Sequence, residues 1–304
     1  VSEALSLISH PGLDAVLAYR EGEAVTVADF LRDVRALARR LPERTHMLNL
    51  CENPYRFMTG FAAALVRGQC NLLPPNRGPQ TLLRTSRAYR SSYALVEAAL
   101  TEPEIEVVQW SGSTDDDRRR QEVPLIECDH VAAIAFTSGS TGSPRPHVKS
   151  WGSLVGSAQA ESTRLGLAAR AASLVGTVPP QHMYGLESLV LLALRGGNAV
   201  FAGRPFYPHD IAAVLRGVAS PRVLVTTPVH LRALMRAGVE LPEMELILSA
   251  TAPLSRELAA KVERRFGTRV LEIYGCTEAG QIASRRTVEG GPWLALDGLS
   301  MRRE

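Results

Sequence analysis

From residue 26 to residue 274 short apolar runs of β type alternate with amphipathic helical stretches. That alternation restricts the chain to a largely parallel α/β architecture. Thr26, with Asp29 three positions on, marks a helix start, and Leu31, Val34, Leu37 and Ala38 then recur at helical spacing. Residues 46–51 (HMLNLC) read as a strand, 54–66 as a helix, and 69–73 as a strand stopped by Pro74 and Pro75. A helix from Pro79 and strands at 93–96 and 105–108 follow. In the second half the spacing predicts a strand at 131–136, a Gly/Ser loop and a helix from Ser150. Strands at 173–178, 199–201, 222–226, 246–249 and 269–274 then alternate with helices at 185–194, 208–217, 228–236 and 255–266. Parallel neighbours need helical crossovers, so helices are expected on both faces of the sheet. Residues 111–121 (SGSTDDDRRRQ) have blocked charge and no periodicity, the pattern of a solvated linker.

Composition excludes several classes. A net charge of +3 over 304 residues is no nucleic-acid footprint. No apolar run approaches the ~20 residues that span a bilayer, and the N-terminus carries no secretory pattern. Cys51, Cys70, Cys128 and Cys276 are far apart and form no CxxC pair, which favours reduced thiols and a cytoplasmic setting. Of the 34 basic residues only Lys149 and Lys261 are lysines. Genomic base composition accounts for that bias, yet any chemistry needing a titratable amine has two candidates.

Three segments carry chemistry. Residues 137–145, Thr137-Ser138-Gly139-Ser140-Thr141-Gly142 and on to Arg145, follow an apolar strand and precede the expected helix. Backbone N–H groups, hydroxyls and two glycines at that place suit phosphate oxygens, although composition alone fits a flexible connector as well. The Walker lysine is missing, which disfavours a phosphotransferase of that type. Ser249-Ala250-Thr251-Ala252-Pro253 ends one strand with small residues against which a flat ring can lie. Tyr274-Gly275-Cys276-Thr277-Glu278 ends the next, supplying a ring face, a hydroxyl and a hard carboxylate oxygen for Mg2+. Alone, this last pattern reads first as a helix cap; the order of all three gives it weight.

In that order, FTSGSTGSPR, SATAPLS and YGCTEAG resemble the signature loops of the adenylate-forming superfamily, which includes acyl- and aryl-CoA synthetases and peptide-synthetase adenylation domains. The resemblance implies stacked, mostly parallel sheets flanked by helices, as in the N-terminal domain of those enzymes. It implies ATP-dependent conversion of a carboxylic acid, aryl or medium acyl, to an acyl-adenylate. Transfer to the thiol of coenzyme A or of a carrier protein's phosphopantetheine then follows. Ser138, Gly139, Ser140, Thr141 and Gly142 would grip the phosphates with Thr137. Glu278 would hold Mg2+, Thr277 would contact the α-phosphate, and Tyr274 with Gly275 would face Ala250, Thr251 and Ala252 across the adenine. His182 of Pro179-Pro180-Gln181-His182 resembles the family's histidine beside the acyl pocket, to which Tyr184, Gly185, Thr227, Pro228, Ser249 and Cys276 would contribute. Arg145 stands where the family has lysine and Pro146 where it has glycine; Lys149 is a candidate replacement phosphate contact. The expected units are 1–125 and 126–304, the second bearing the motifs. The family's ribose-binding Asp segment and its C-terminal lid, with the lid lysine, are expected to lie outside this sequence, and Lys261 on a surface helix. A nucleotide- or acyl-binding module without turnover is the alternative reading.

Overall fold

Successive apolar residues on the central strands point to opposite sides of a sheet, and here both sides of two sheets are covered. The computed structural model describes residues 3–98, 104–113, 122–137, 145–168 and 170–299. In chain order the elements are β1 (Ala4–Ser6), β2 (Val16–Arg20), β3 (Glu23–Thr26), α1 (Val27–Arg40), β4 (His46–Asn49), α2 (Pro54–Val66), β5 (Cys70–Leu73), α3 (Pro79–Ala88), β6 (Ser92–Val96) and β7 (Val107–Gln109). Next come β8 (Leu125–Glu127), β9 (Val131–Thr137), β10 (Arg145–Ser150), α4 (Trp151–Leu165), β11 (Ser173–Gly176), α5 (Met183–Gly185), a π-helical segment (Leu186–Leu191) and α6 (Leu192–Gly196). The chain continues through β12 (Ala199–Phe201), α7 (Pro208–Gly217), β13 (Arg222–Thr226), α8 (Pro228–Ala237), β14 (Leu246–Ser249), α9 (Arg256–Phe266), β15 (Arg269–Cys276), β16 (Gly280–Arg286) and β17 (Leu294–Ala295).

The larger sheet has the order β17-β16-β15-β14-β13-β11-β12-β2-β3, and the smaller β10-β9-β5-β4-β6-β7. Strands from β15 across to β2 are parallel, as are those from β9 to β7; antiparallel strands close both edges of the larger sheet and the β10 edge of the smaller. One buried core lies between the sheets: Val223, Val225 and Leu248 from the larger sheet meet Met47 and Leu95 from the smaller, with Phe57, Phe61 and Leu189 between them. The alternate residues Leu224 and Ile247 pack outward under α7, α8 and α9, and Leu48 and Leu72 pack outward against Leu82 of α3. The architecture is thus two stacked sheets with helices between and outside them. Local signals agree with it: Thr26 and Asp29 close a reciprocal capping box at α1, with Thr26 Oγ1 accepting from the Asp29 amide at 3.2 Å.

Two features depart from the sequence reading. Sheet membership interleaves across residue 125: β2 and β3 join the later strands, and β9 and β10 join the earlier ones. The stretch after the Gly/Ser loop is a strand before it is a helix. Arg145 pairs with Thr137 and Ser150 with Val131, so β9 and β10 form an antiparallel hairpin. The N-terminus of α4, capped by Ser150, therefore lies at the opposite end of β9 from Thr137 and Arg145. Pro146, which stands where the family has glycine, sits in β10 opposite Phe136. As an edge strand, β10 can carry a residue without an N–H.

Candidate active site

The site is built where parallel strands end, the place where α/β sheets present backbone groups and loops to ligands. β15 and β16 form a hairpin whose turn, residues 277–279, carries Thr277 and Glu278; the pattern expected as a helix cap is a β-turn. The turn is tight. Gly280 has φ +78°, and a Cβ on Gly275 would fall 2.5 Å from the Gly280 carbonyl oxygen, so glycine is required there. Tyr274 precedes a shift in pairing register and leaves its ring 54% exposed, 5.5 Å from the Trp293 ring. Across from it, Thr251 holds a left-handed φ of +74°, an unfavourable conformation for a β-branched residue. Ala250 before it is buried, while Thr251 and Ala252 are exposed.

The turn is tied to the hairpin of the other sheet. His147 Nε2 lies 3.1 Å from Thr137 Oγ1 and 3.6 Å from Glu278 Oε1. Lys149 Nζ donates to the Glu278 carbonyl oxygen at 2.6 Å. His147 and Lys149 are two apart on β10 and so share a face. Lys149 is buried; burial lowers its pKa, against the raising pull of Glu187, Cys276 and Glu278. The pKa of Glu278 is lowered, first by its own backbone amide and Cys276 and then by the nearby His147 and Lys149 side chains. An exposed, ionised carboxylate with hydroxyls beside it fits the way Mg2+ is commonly bound, by one carboxylate together with substrate phosphates. Among the described residues no group of three or more His, Cys, Asp or Glu side chains gathers to hold a metal by itself.

Between these elements opens a cavity of about 390 Å3. It brings together His182, Tyr184, Ala250, Thr251, Gly275, Cys276 and Thr277 from the expected set, and adds Glu187, Gly280 and Gln281. His182 caps α5; burial, then Arg204 and Arg77, lowers its pKa, so the imidazole is neutral at pH 7. Gly185, Thr227, Pro228 and Ser249 do not line this cavity. Gly185 is a spacing residue, since a Cβ there would collide with the Pro179 carbonyl oxygen. Thr227 Oγ1 lies 2.9 Å from His230 Nδ1, Pro228 starts α8, and Ser249 is fully buried. Arg145 is exposed on β10, and Lys261 pairs with Glu257 at 2.6 Å on the exposed face of α9. Ser138, Gly139, Ser140, Thr141 and Gly142 lie outside the described residues. His147, Glu187 and Gln281 were missed by the sequence reading; for His147, alternation with Lys149 was the available signal.

The sequence profile of the family described as AMP-binding enzyme matches residues 8–295. The chain is 32% identical over 182 residues to a 4-coumarate–CoA ligase of Arabidopsis thaliana, a match covering 56% of this chain and 32% of that protein. With a 4-coumarate–CoA ligase of Halorhodospira halophila it shares 32% over 157 residues, 51% of this chain and 38% of the relative. The chain thus spans between about a third and two fifths of the length of these relatives. In fold it is similar to an O-succinylbenzoate coenzyme A synthetase of Bacillus subtilis solved with ATP and magnesium ion (TM-score 0.73, 19% identity, 90% of this chain and 60% of that one). It is also similar to ATP-bound MatB of Rhodopseudomonas palustris (TM-score 0.72, 20% identity, 91% and 60%).

Proposed function

The chain belongs to the AMP-binding enzyme family, and on that premise we propose that it activates a carboxylic acid with ATP. The acid's oxygen attacks the α-phosphorus, the bond to the β-phosphate oxygen breaks, and acyl-adenylate and pyrophosphate result. The acyl group then passes to the thiol of coenzyme A or of a carrier protein's phosphopantetheine, with release of AMP. The setting is cytoplasmic in this reading; among the described residues no helix is long and apolar enough to cross a membrane.

One observation carries the proposal: an ionised carboxylate and a hydroxyl, Glu278 and Thr277, sit on a fixed turn at the rim of a cavity whose opposite walls differ in chemistry. One wall holds Ala250, Thr251 and Gly275; beside it, outside the lining itself, the exposed Tyr274 ring and Ala252 would complete a stacking surface suited to adenine. The other, with His182 and Tyr184, suits the acid. Neutral His182 orients the carboxylate without adding a proton, while Arg77 and Arg204 make that end electropositive. Thr277 and Thr137 donate to phosphate oxygens together with Ser138, Ser140 and Thr141, whose backbone approach Gly139 and Gly142 permit. Arg145 adds charge at the loop's end. Glu278 would hold Mg2+, which neutralises charge developing on the phosphates when bound. Holding both anions in line supplies most of the rate, since the protein forms no bond to either.

The test is calorimetric titration of the chain with ATP and Mg2+, followed by acid-dependent pyrophosphate exchange. Glu278→Ala is expected to weaken Mg2+-dependent ATP binding by at least about tenfold. Unchanged binding would refute the role given to Glu278, and nucleotide binding with no exchange for any acid would favour a binding module.

A further inference from the structure

The helical run that starts beside His182 with α5 continues through the π-helical segment and α6 and ends at Gly196. At 1.5 Å per residue its two ends lie about 20 Å apart. Beside the far end opens a second cavity, of about 510 Å3, which shares no lining residue with the one that holds His182 and Thr277. Its walls come from the segment after β1, from the outer face and trailing loop of α4, and from the end of α6. No aspartate or glutamate is among the described residues that line it, whereas two arginines, Arg170 and Arg195, are.

Arg195 is half-buried, and its guanidinium pairs with no carboxylate among the described residues. Its Nη1 donates to the Ser6 carbonyl oxygen at 2.5 Å and to Ser6 Oγ at 2.6 Å. Of the remaining donors, the Nε–H is sealed and takes no part. The Nη2 amino group is neither sealed nor hydrogen-bonded among the described residues, so it is open to a ligand. The charge is not taken up by the end of its own helix. Asn198 Nδ2 donates to the carbonyls of Leu192 at 2.9 Å and Gly196 at 3.1 Å, and the Ser9 amide donates to that of Leu194 at 2.9 Å. Arg170 differs, because Glu245 lies 3.7 Å from it and offsets its charge. The cavity is thus left with a single positive charge that has no partner, and burial lowers the pKa of that guanidinium with no carboxylate to raise it. An arginine stays protonated all the same, so a bound anion is the way its desolvation is offset. Gln159 and Thr163, exposed on α4, offer an amide and a hydroxyl beside it, and Pro11, Leu167 and Ala171 an apolar wall.

We propose that this second cavity binds an organic monoanion, a carboxylate with an apolar body, through the open Nη2 edge of Arg195. One unpartnered cation calls for one negative charge, and a phosphate dianion would bring a second with nothing to offset it. The planar carboxylate suits a guanidinium edge, and Gln159 and Thr163 can donate to its remaining lone pairs. The body of the ligand then covers the apolar wall. The site stands apart from acid activation and holds whether or not the chain carries that reaction out. Because a substrate acid is itself a carboxylate, the test reads where the ligand binds as well as how tightly.

The experiment is an amide 15N–1H NMR titration of the chain, without nucleotide, using hexanoate, acetate and inorganic phosphate at pH 7. Hexanoate is expected to shift the amides of Thr163, Gly196 and Gly197 along a saturable curve. It should bind there at least about tenfold more tightly than acetate, which leaves the apolar wall bare. Phosphate should bind no more tightly than acetate. Arg195→Met should weaken hexanoate at these amides by at least about tenfold. The inference is overturned by hexanoate shifts confined to the other cavity, at Gly275 and Thr277, which would support acid binding there alone. It is equally overturned by an unchanged Kd in Arg195→Met, or by phosphate binding more tightly than hexanoate. If the methionine variant does not fold, the place of the wild-type shifts and the hexanoate-to-acetate ratio decide.

Discussion

Replacing Lys149 with methionine tests whether one buried side chain fastens the turn that carries Thr277 and Glu278. The side chain is 8% exposed, and its ammonium donates at 2.6 Å to the main-chain oxygen of Glu278. A hydrogen bond with a charged donor contributes about 1.5–3 kcal/mol. Methionine has similar length and no charge to desolvate, which offsets part of that loss. The expected net destabilisation at pH 7 is therefore about 1–3 kcal/mol, read as a lower urea midpoint at unchanged slope. A second term is separable. Lys149 favours ionised Glu187, so Lys149→Met and Glu187→Leu should not add: the double variant is expected to recover at least about 1 kcal/mol of the summed losses. Mg2+-dependent ATP binding should weaken as well, since the turn carries Thr277 and Glu278. A Lys149→Met chain within about 0.5 kcal/mol of wild type would show that the hairpin holds its turn unaided. Strict additivity with Glu187→Leu would refute the coupling.

Other outcomes follow from single contacts. Gly185→Ala should destabilise by about 1–3 kcal/mol in thermal melts, because the new methyl meets the Pro179 carbonyl; a wild-type melting temperature would contradict the packing. Tyr274→Ala should weaken ATP binding about tenfold with little change in stability, the ring being half exposed; unchanged affinity would remove adenine stacking from the reading. Glu161 and Glu187 have raised folded-state values of about 7 and about 8, so their stabilisation is complete below the ordinary glutamate range and is lost as pH rises through those values. Between pH 5 and 8 stability should fall by on the order of 1 kcal/mol per pH unit for each group still protonated, and Glu161→Gln should flatten the slope seen in urea titrations. A profile rising over that range in wild type would refute the buried-acid pair.

Much of the fold was legible because it is written in local spacing. Thr26 with Asp29 caps α1 as a pair, Asn53 and Pro54 start α2, and the apolar runs at 46–49, 223–225 and 246–248 each became a buried parallel strand. Several strands at or next to the sheet edges were missed, β2, β3, β16 and β17 among them, and the one that bears on the site is β10. Pro146 argues against a strand unless an edge is known, and edges are set by which strands meet, not by the segment itself. That omission displaced the helix expected to face the phosphate loop and concealed that His147 and Lys149 share a face toward Glu278.

The sequence alone determined the α/β class, the order of the three motifs, and the residue types able to bind nucleotide, metal and acid. Periodicity and short motifs depend on neighbours along the chain, so they survive without coordinates. Tertiary structure decided which residues meet. It stacked two sheets whose strands interleave in sequence, brought β10 against the β15–β16 turn 129 residues away through Lys149, and set Gln281 against Ser188 at a separation of 93. It also turned Glu187, one polar residue in an apolar helix, into a carboxyl facing a cavity. Burial and charge are properties of the assembled surroundings, so the chemistry of Glu187 and Lys149 exists only once those surroundings close around them.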